Sequence, residues 1–238
     1  MIQKSHDTFE SFIKHYWQYY RELEDEIIAT RRYVDFDQGN FSTFSVEYLK
    51  LYQAICSEID VLGKAIAHEI DPMFKADDRQ NNILKWWLVL QDDIKYPQPD
   101  QHFMNIKYLP LESAEVDFFN YIPIRPWHNF RTEVRPDKNG RNRTELVKGY
   151  QTPGWWADYN SVKHNRTSQI SSGSKEINYT KANLKNVAYS ISALFVLEMA
   201  YMHAVGTKDD VEAFADYGRL FYKEENATTS EIDAILYN

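Results

Sequence analysis

The string Tyr159-Asn160-Ser161-Val162-Lys163-His164-Asn165-Arg166 groups side chains whose types and spacing fit proton transfer on a charged substrate. On an α-helix, residues three and four apart share a face. Asn160, Lys163 and His164 therefore project together, and Tyr159, Lys163 and Arg166 form an adjoining row. A histidine that titrates near neutrality moves protons, while Lys or Arg stabilises charge developing on a phosphoryl oxygen. An Asn beside them orients the imidazole or bonds the scissile group. Arg166 lies two residues past His164 and joins the cluster only if the helix ends near Asn165, as the Ser/Gly-rich TSQISSGSKE that follows suggests. The same residues also describe an ordinary helix end. A Lys-His pair there covers terminal carbonyls and complements the helix dipole, with Tyr159 and Asn160 bonded to neighbouring backbone.

Other constellations are sparse. His68-Glu69 lacks the second His of a zinc-protease helix, and Asp92-Asp93 and Asp35/Asp37 lack partners at calcium-loop spacing. The sequence contains no GxGxxG, Walker or GxSxG element. Cys56 is the only cysteine, which excludes an internal disulfide, and its apolar surroundings read as those of a small core hydrophobe. The pairs Trp86-Trp87 and Trp155-Trp156 could stack bases, but helix anchoring is the commoner fate of such residues.

The chain has 238 residues and a net charge of −8, unevenly spread. Residues 125 to 185 carry twelve Lys/Arg against five Asp/Glu, a net of +7, which leaves −15 for the rest. Overall acidity argues against nonspecific coating of nucleic acid, whereas a local basic face can steer a phosphate ligand or meet an acidic surface elsewhere. MIQKSHDTFESF has no apolar signal-peptide core. The apolar run Leu184 to Val205 is interrupted by Lys185, Asn186, Glu198 and His203, against the requirement for about twenty nearly uncharged residues in a membrane span. The expected compartment is the cytoplasm, with no membrane contact.

The elements that position these residues are mainly helical. Phe9, Phe12, Ile13, Tyr16, Tyr20, Leu23 and Ile27 predict a helix over about 7–34. Tyr48, Tyr52, Ile55, Ile59, Leu62, Ile66 and Ile70 predict a second, started near Ser42 or Ser45 and stopped before Pro72. The short FDQGN connection favours an antiparallel pair. A third helix is expected over 79–92, a fourth from Trp155 through YNSVKHNR, a long one over 179–205 ended by Gly206, and a last one over 209–222. Seven of the eight prolines fall between Pro97 and Pro153, a density long helices do not tolerate. FMNIKYL and NFRTEV read there as edge strands, and Asp137-Lys138-Asn139-Gly140 as the turn of a β-hairpin. The expected architecture is mainly α: a bundle of long antiparallel helices in a single domain spanning 1–238, with 95–153 as an inserted loop and hairpin subdomain.

CSEID at 56–60, YNSVKHNR, and ANLKNVAYSISALFVL at 182–197 together resemble the HEPN superfamily of helical bacterial defence, abortive-infection and toxin–antitoxin proteins. The similar portion is mainly 55–63 and 155–201; 95–153 has no counterpart. Active members are metal-independent RNA endonucleases whose dimers bring two motifs together, each an Arg and a His with four to six residues between them. Here the positions that would hold that Arg are Tyr159, Asp158 and Ala157, so only His164 transfers directly, with Asn160, Lys163 and Arg166 fitting a looser N-x-x-K-H-x-R form. The resemblance implies a cytoplasmic homodimer, with no cofactor or metal, acting on RNA and paired with a protein partner or antitoxin. His164, Lys163, Asn160 and Arg166 would be catalytic, and Tyr159, Arg141, Arg143 and Lys148 would contact RNA. The alternative is an inactive HEPN-like module that binds a protein, a nucleotide or RNA.

Overall fold

A computed structural model describes residues 8–77, 81–91, 111–119, 121–214 and 218–221. About 53% of the chain is helical, and two small two-stranded sheets accompany the helices. The first helix is α1 (Phe9–Phe12), which passes through a π-helical turn at Ile13–Trp17 and continues as α2 (Gln18–Thr30). Next comes α3 (Val46–Ile70), started where the Ser45 side chain accepts the Tyr48 amide. The predicted stripe on α3 is buried from Tyr48 through Ile66, with the last position, Ile70, packed at its margin.

Other boundaries differ from the periodicity: the first helix ends at Thr30 and not near 34, and elsewhere local bonds or ring packing outcompete the pattern. Helix α4 (Ile83–Leu90) begins later than expected, because the Asn82 side chain accepts from the Leu84 and Lys85 amides and caps it there. Helix α5 (Gly154–Asn165) carries the YNSVKHN segment. The long helix α6 (Leu184–Val205) starts after a 3-10 turn at Asn178–Lys181, because Asn183 takes the Asn186 amide at 3.0 Å. Among the described residues the last helix is α7 (Lys208–Ala213); Phe214 leaves it and packs its ring against Phe9 and Trp17, and the rest of the helix expected over 209–222 lies partly outside the described residues.

Helix α6 is the buried centre of the molecule. It packs on α3, and α2 contacts both. Every residue from Ser190 to Met202 is buried, as expected of a helix apolar all round. That enclosure accounts for its membrane-like composition, and among the described residues no helix is long and apolar enough to cross a membrane.

The described part of the proline-rich segment, from 111 on, joins the same core. Strands β1 (Val116–Phe118) and β2 (Ile122–Ile124) pair antiparallel, with Val116, Phe118, Ile122 and Ile124 buried. This hairpin was not anticipated. Strands β3 (Thr132–Pro136) and β4 (Asn142–Leu146) form the anticipated one. In its turn the Asp137 carboxylate accepts the Asn139 and Arg141 amides, and Gly140 adopts φ +73°. The expected strand FMNIKYL lies outside the described residues. Between the hairpins, Trp127 is fully buried, stacks on Trp87 at 4.6 Å and donates to the Ala193 carbonyl of α6.

One core residue breaks the rule that buried polar groups are paired. Glu198, in the middle of α6, is fully buried, and neither carboxyl oxygen has a hydrogen-bond partner among the described residues. Burial first, and then Glu58, hold its carboxyl well above the ordinary range. The folded chain therefore keeps a proton that the unfolded chain releases above about pH 4.3. Stability contributed by that proton declines as pH rises from there toward the raised value. Replacing the acid by an apolar side chain of similar length removes both the unmet desolvation and the linkage. Glu198→Met should stabilise the protein by about 1–3 kcal/mol at pH 8, and by less as pH falls toward about 4.3. Thermal melts across that range check this. A variant no more stable than wild type at pH 8 would sink it.

Candidate functional site

Helix α5 buries Trp155, Trp156, Tyr159 and Val162 on one side. The Trp155 indole donates to the Pro126 carbonyl at 2.9 Å, and the Tyr52 hydroxyl donates to the Trp155 carbonyl. Asp158 ties the helix to the start of α6 through Lys181 at 2.8 Å and the Asn186 amide at 3.1 Å. With that side fixed, Asn160, Lys163 and His164 face outward together. All three line an open cleft of about 600 Å³.

The opposite wall comes from α3 and from the N-terminus of α4. Asp60, Lys64, Asn81 and Asn82 line it. Lys64 Nζ lies 2.6 Å from Asp60 Oδ2, and Asp60 Oδ1 accepts the Trp86 indole N–H at 3.2 Å. Trp86 reaches Asp60 because residue 63 is glycine. A Cβ on Gly63 would stand 2.7 Å from the Trp86 ring, and that ring is itself hemmed in by Trp87 and Trp127.

The predicted residues divide by their surroundings. Lys163 and His164 are exposed, and neither has a hydrogen bond or ion pair among the described residues. Lys163 Nζ stands 5.3 Å from the Tyr159 ring centroid. They do not cap their own helix: the Asn165 carbonyl takes the Asn178 side-chain amide at 2.9 Å and the Ser168 amide at 3.0 Å. Asn160 is partly committed, since its amide donates to the Trp156 carbonyl one turn back at 3.1 Å. Tyr159 lines the cleft but is only 5% exposed and offers no open face for stacking. Burial first, with Cys56 and Asp60 nearby, pushes its hydroxyl up to about 12.

Arg166 is exposed at the end of α5 and is not among the cleft-lining residues. The helix does end at Asn165, yet the step of two residues from His164 still separates the side chains. Arg141, Arg143 and Lys148 belong to the β3–β4 hairpin and the turn after it, are exposed, and likewise do not line the cleft. Arg143 pairs with Asp137 at 3.2 Å. Cys56 is fully buried, and burial pushes its thiol well above the usual value, which keeps it protonated and un-nucleophilic. Trp86, Trp87, Trp155 and Trp156 are all anchors inside the core. Among the described residues no group of three or more His, Cys, Asp or Glu is placed to hold a metal ion.

Asp60, Lys64, Asn81 and Asn82 escaped the sequence reading. Asp60 and Lys64 read as an ordinary i,i+4 surface pair, and Asn82 carries a capping signal that places a helix start but says nothing of a site. No family model matches the chain, and neither does a curated protein or a solved structure.

The glycine at 63 can be tested directly. Helix propensity alone favours alanine by about 1 kcal/mol, whereas overpacking against a confined ring costs about 1–3 kcal/mol. Gly63→Ala should therefore lower the melting temperature and shift tryptophan fluorescence as Trp86 is displaced. A variant more stable than wild type would show that the ring yields freely.

Proposed function

We propose that the cleft is a phosphodiester site and the chain a HEPN-like, metal-independent RNA endonuclease of a phage-defence or toxin–antitoxin system. It would act as a cytoplasmic homodimer of single-domain chains, each built on long antiparallel helices and held in check by a protein partner or antitoxin. The observation that carries the reading is that Lys163 and His164, neither hydrogen-bonded nor ion-paired among the described residues, line one solvent-open cleft together with Lys64. Had they served the helix end, they would have been engaged with its carbonyls.

In the proposed reaction a ribose 2′-hydroxyl attacks the adjacent phosphorus. The 2′-O–P bond forms and the P–O5′ bond breaks, leaving a 2′,3′-cyclic phosphate and a 5′-hydroxyl. His164 takes the 2′-hydroxyl proton or delivers one to the departing 5′-oxygen, and a two-fold related copy would supply the other role. Lys163 stabilises the charge on the equatorial oxygens. Asn160 keeps its carbonyl oxygen and one amide hydrogen for the substrate. Arg166, with Arg141, Arg143 and Lys148, meets RNA beyond the cleft.

The second reading, an inactive module that binds a protein, a nucleotide or RNA, draws on two observations. Asn160 bonds back to its own helix. The positions where the family places its Arg are occupied by Ala157, by Asp158, which braces α6, and by buried Tyr159.

Incubating RNA with purified protein in chelator, wild type beside His164→Ala, separates the two. Wild type should yield 2′,3′-cyclic ends. His164→Ala should lose about 10²-fold or more in rate with an unchanged melting temperature, because the side chain is exposed. Equal cleavage by the variant, or none by folded wild type, defeats the catalytic reading.

A further inference from the structure

We infer that Lys64 is the second phosphate-contacting cation of the cleft, so that one protomer grips a phosphodiester between α3 and α5. The inference rests on the phosphodiester reading of the cleft and adds a residue to it.

Lys64 differs from a surface lysine in how it is held. The pair Lys50–Glu47 on the same helix is a useful contrast: both side chains are about two-thirds exposed and are joined only to each other. Such a pair contributes little and fixes nothing. The Lys64 side chain is 21% exposed, and its ammonium sits 2.6 Å from an Asp60 carboxylate that also accepts the indole N–H of fully buried Trp86. Trp86 in turn is lodged against Gly63 and two further tryptophans. Asp60 and Trp86 are thus positioning residues, and they order the long lysine side chain before any ligand arrives. An ammonium has three hydrogens; Asp60 engages one, and two are left for an anion.

The charges agree. With Lys64 and Lys163 against Asp60, the charged side chains lining the cleft sum to a net positive charge. Lysine acts on phosphate as a point charge, and two such points on facing walls bracket one phosphate group. Substrate contact therefore needs no second copy of the chain.

The test is a titration of the full chain with a short 5′-fluorescein single-stranded RNA in chelator, followed by anisotropy at several salt concentrations. Cleavage of the same RNA is followed on gels. Lys64→Gln should weaken binding about as much as Lys163→Gln does, whatever the RNA sequence, and each should lower the salt slope by about one. A merely structural lysine would not change that slope. Lys64→Arg, which keeps the charge, should restore most of the affinity and guards against misfolding of the glutamine variant. Wild-type affinity and slope in Lys64→Gln, with Lys163→Gln weakened, would overturn the inference. Wild type that binds no RNA would overturn it together with the reading beneath it. RNA bound through both lysines but never cut would support Lys64 and overturn only the nuclease reading.

Discussion

The close approach of Trp86 to Gly63 is the constraint on which both the packing and the cleft depend. With a bare Cα at residue 63, α4 lies directly on α3, and a ring that would otherwise stand off by a side chain makes contact. From that contact the tryptophans form a connected set. Trp86 meets Trp127 at 5.9 Å, and Trp127 meets Trp155 of α5 at 5.2 Å. Each ring is large and stiff, so the position of one limits the next. The set joins α3, α4, the proline-rich segment and α5 without a continuous backbone element between them. The same Trp86 ring presents its N–H to Asp60, so the packing that closes the core also fixes the charged wall of the cleft.

The helices were legible because burial imposes periodicity. The stripe on α3, its Ser45 start and its stop before Pro72 all follow from local rules. The β3–β4 turn followed from Asp137 and Gly140, whose chemistry suits one turn geometry. What stayed hidden depends on distant partners. Nothing near Trp127 says that its ring fills a space framed by α4, α5 and α6. The three-residue strands β1 and β2 are too short to show alternation. The stripe of the expected helix over 209–222 includes Phe214, whose ring instead leaves α7 and packs on Trp17 and Phe9. The site was half visible for the same reason. Asn160, Lys163 and His164 share a face by spacing alone, whereas Lys64 faces them only through the tertiary fold.

Two buried acids illustrate how differently one fold treats the same group. Glu24 on α2 is fully buried yet accepts four bonds: from the Tyr20 hydroxyl, the Arg21 guanidinium, and the Arg219 and Leu220 amides at 2.7 and 2.8 Å. These bonds satisfy the carboxylate and fasten the segment 218–221 to the first helix. Gly218 lies so close that a Cβ would sit 2.7 Å from Glu24 Oε1. Glu198 has no such donors among the described residues, and burial holds its carboxyl well above the ordinary range. Its burial reflects its place in the middle of α6, where every residue from Ser190 to Met202 is buried and no exposed face is left for an acid.

The same accounting of partners bears on the cleft. Along α5 the short polar side chains turn back to their own helix: Asn160 to the Trp156 carbonyl and Ser161 to the Ala157 carbonyl at 3.1 Å. Asp158 is spent on Lys181 and Asn186, and the helix end is satisfied by Asn178 and Ser168. What remains for a ligand from this helix is one ammonium, one imidazole and part of an amide. An arginine in the position typical of HEPN nucleases would need the place of Ala157, Asp158 or Tyr159. At the latter two it would break the tie to α6 or open the aromatic floor of the cleft. If the cleft is the phosphodiester site proposed above, charge stabilisation would come instead from α3, whose Lys64 lines the same cleft. Under that proposal a lysine on α3, braced by Asp60 and Trp86, would take the part of an arginine on α5, an arrangement that no motif on α5 would reveal.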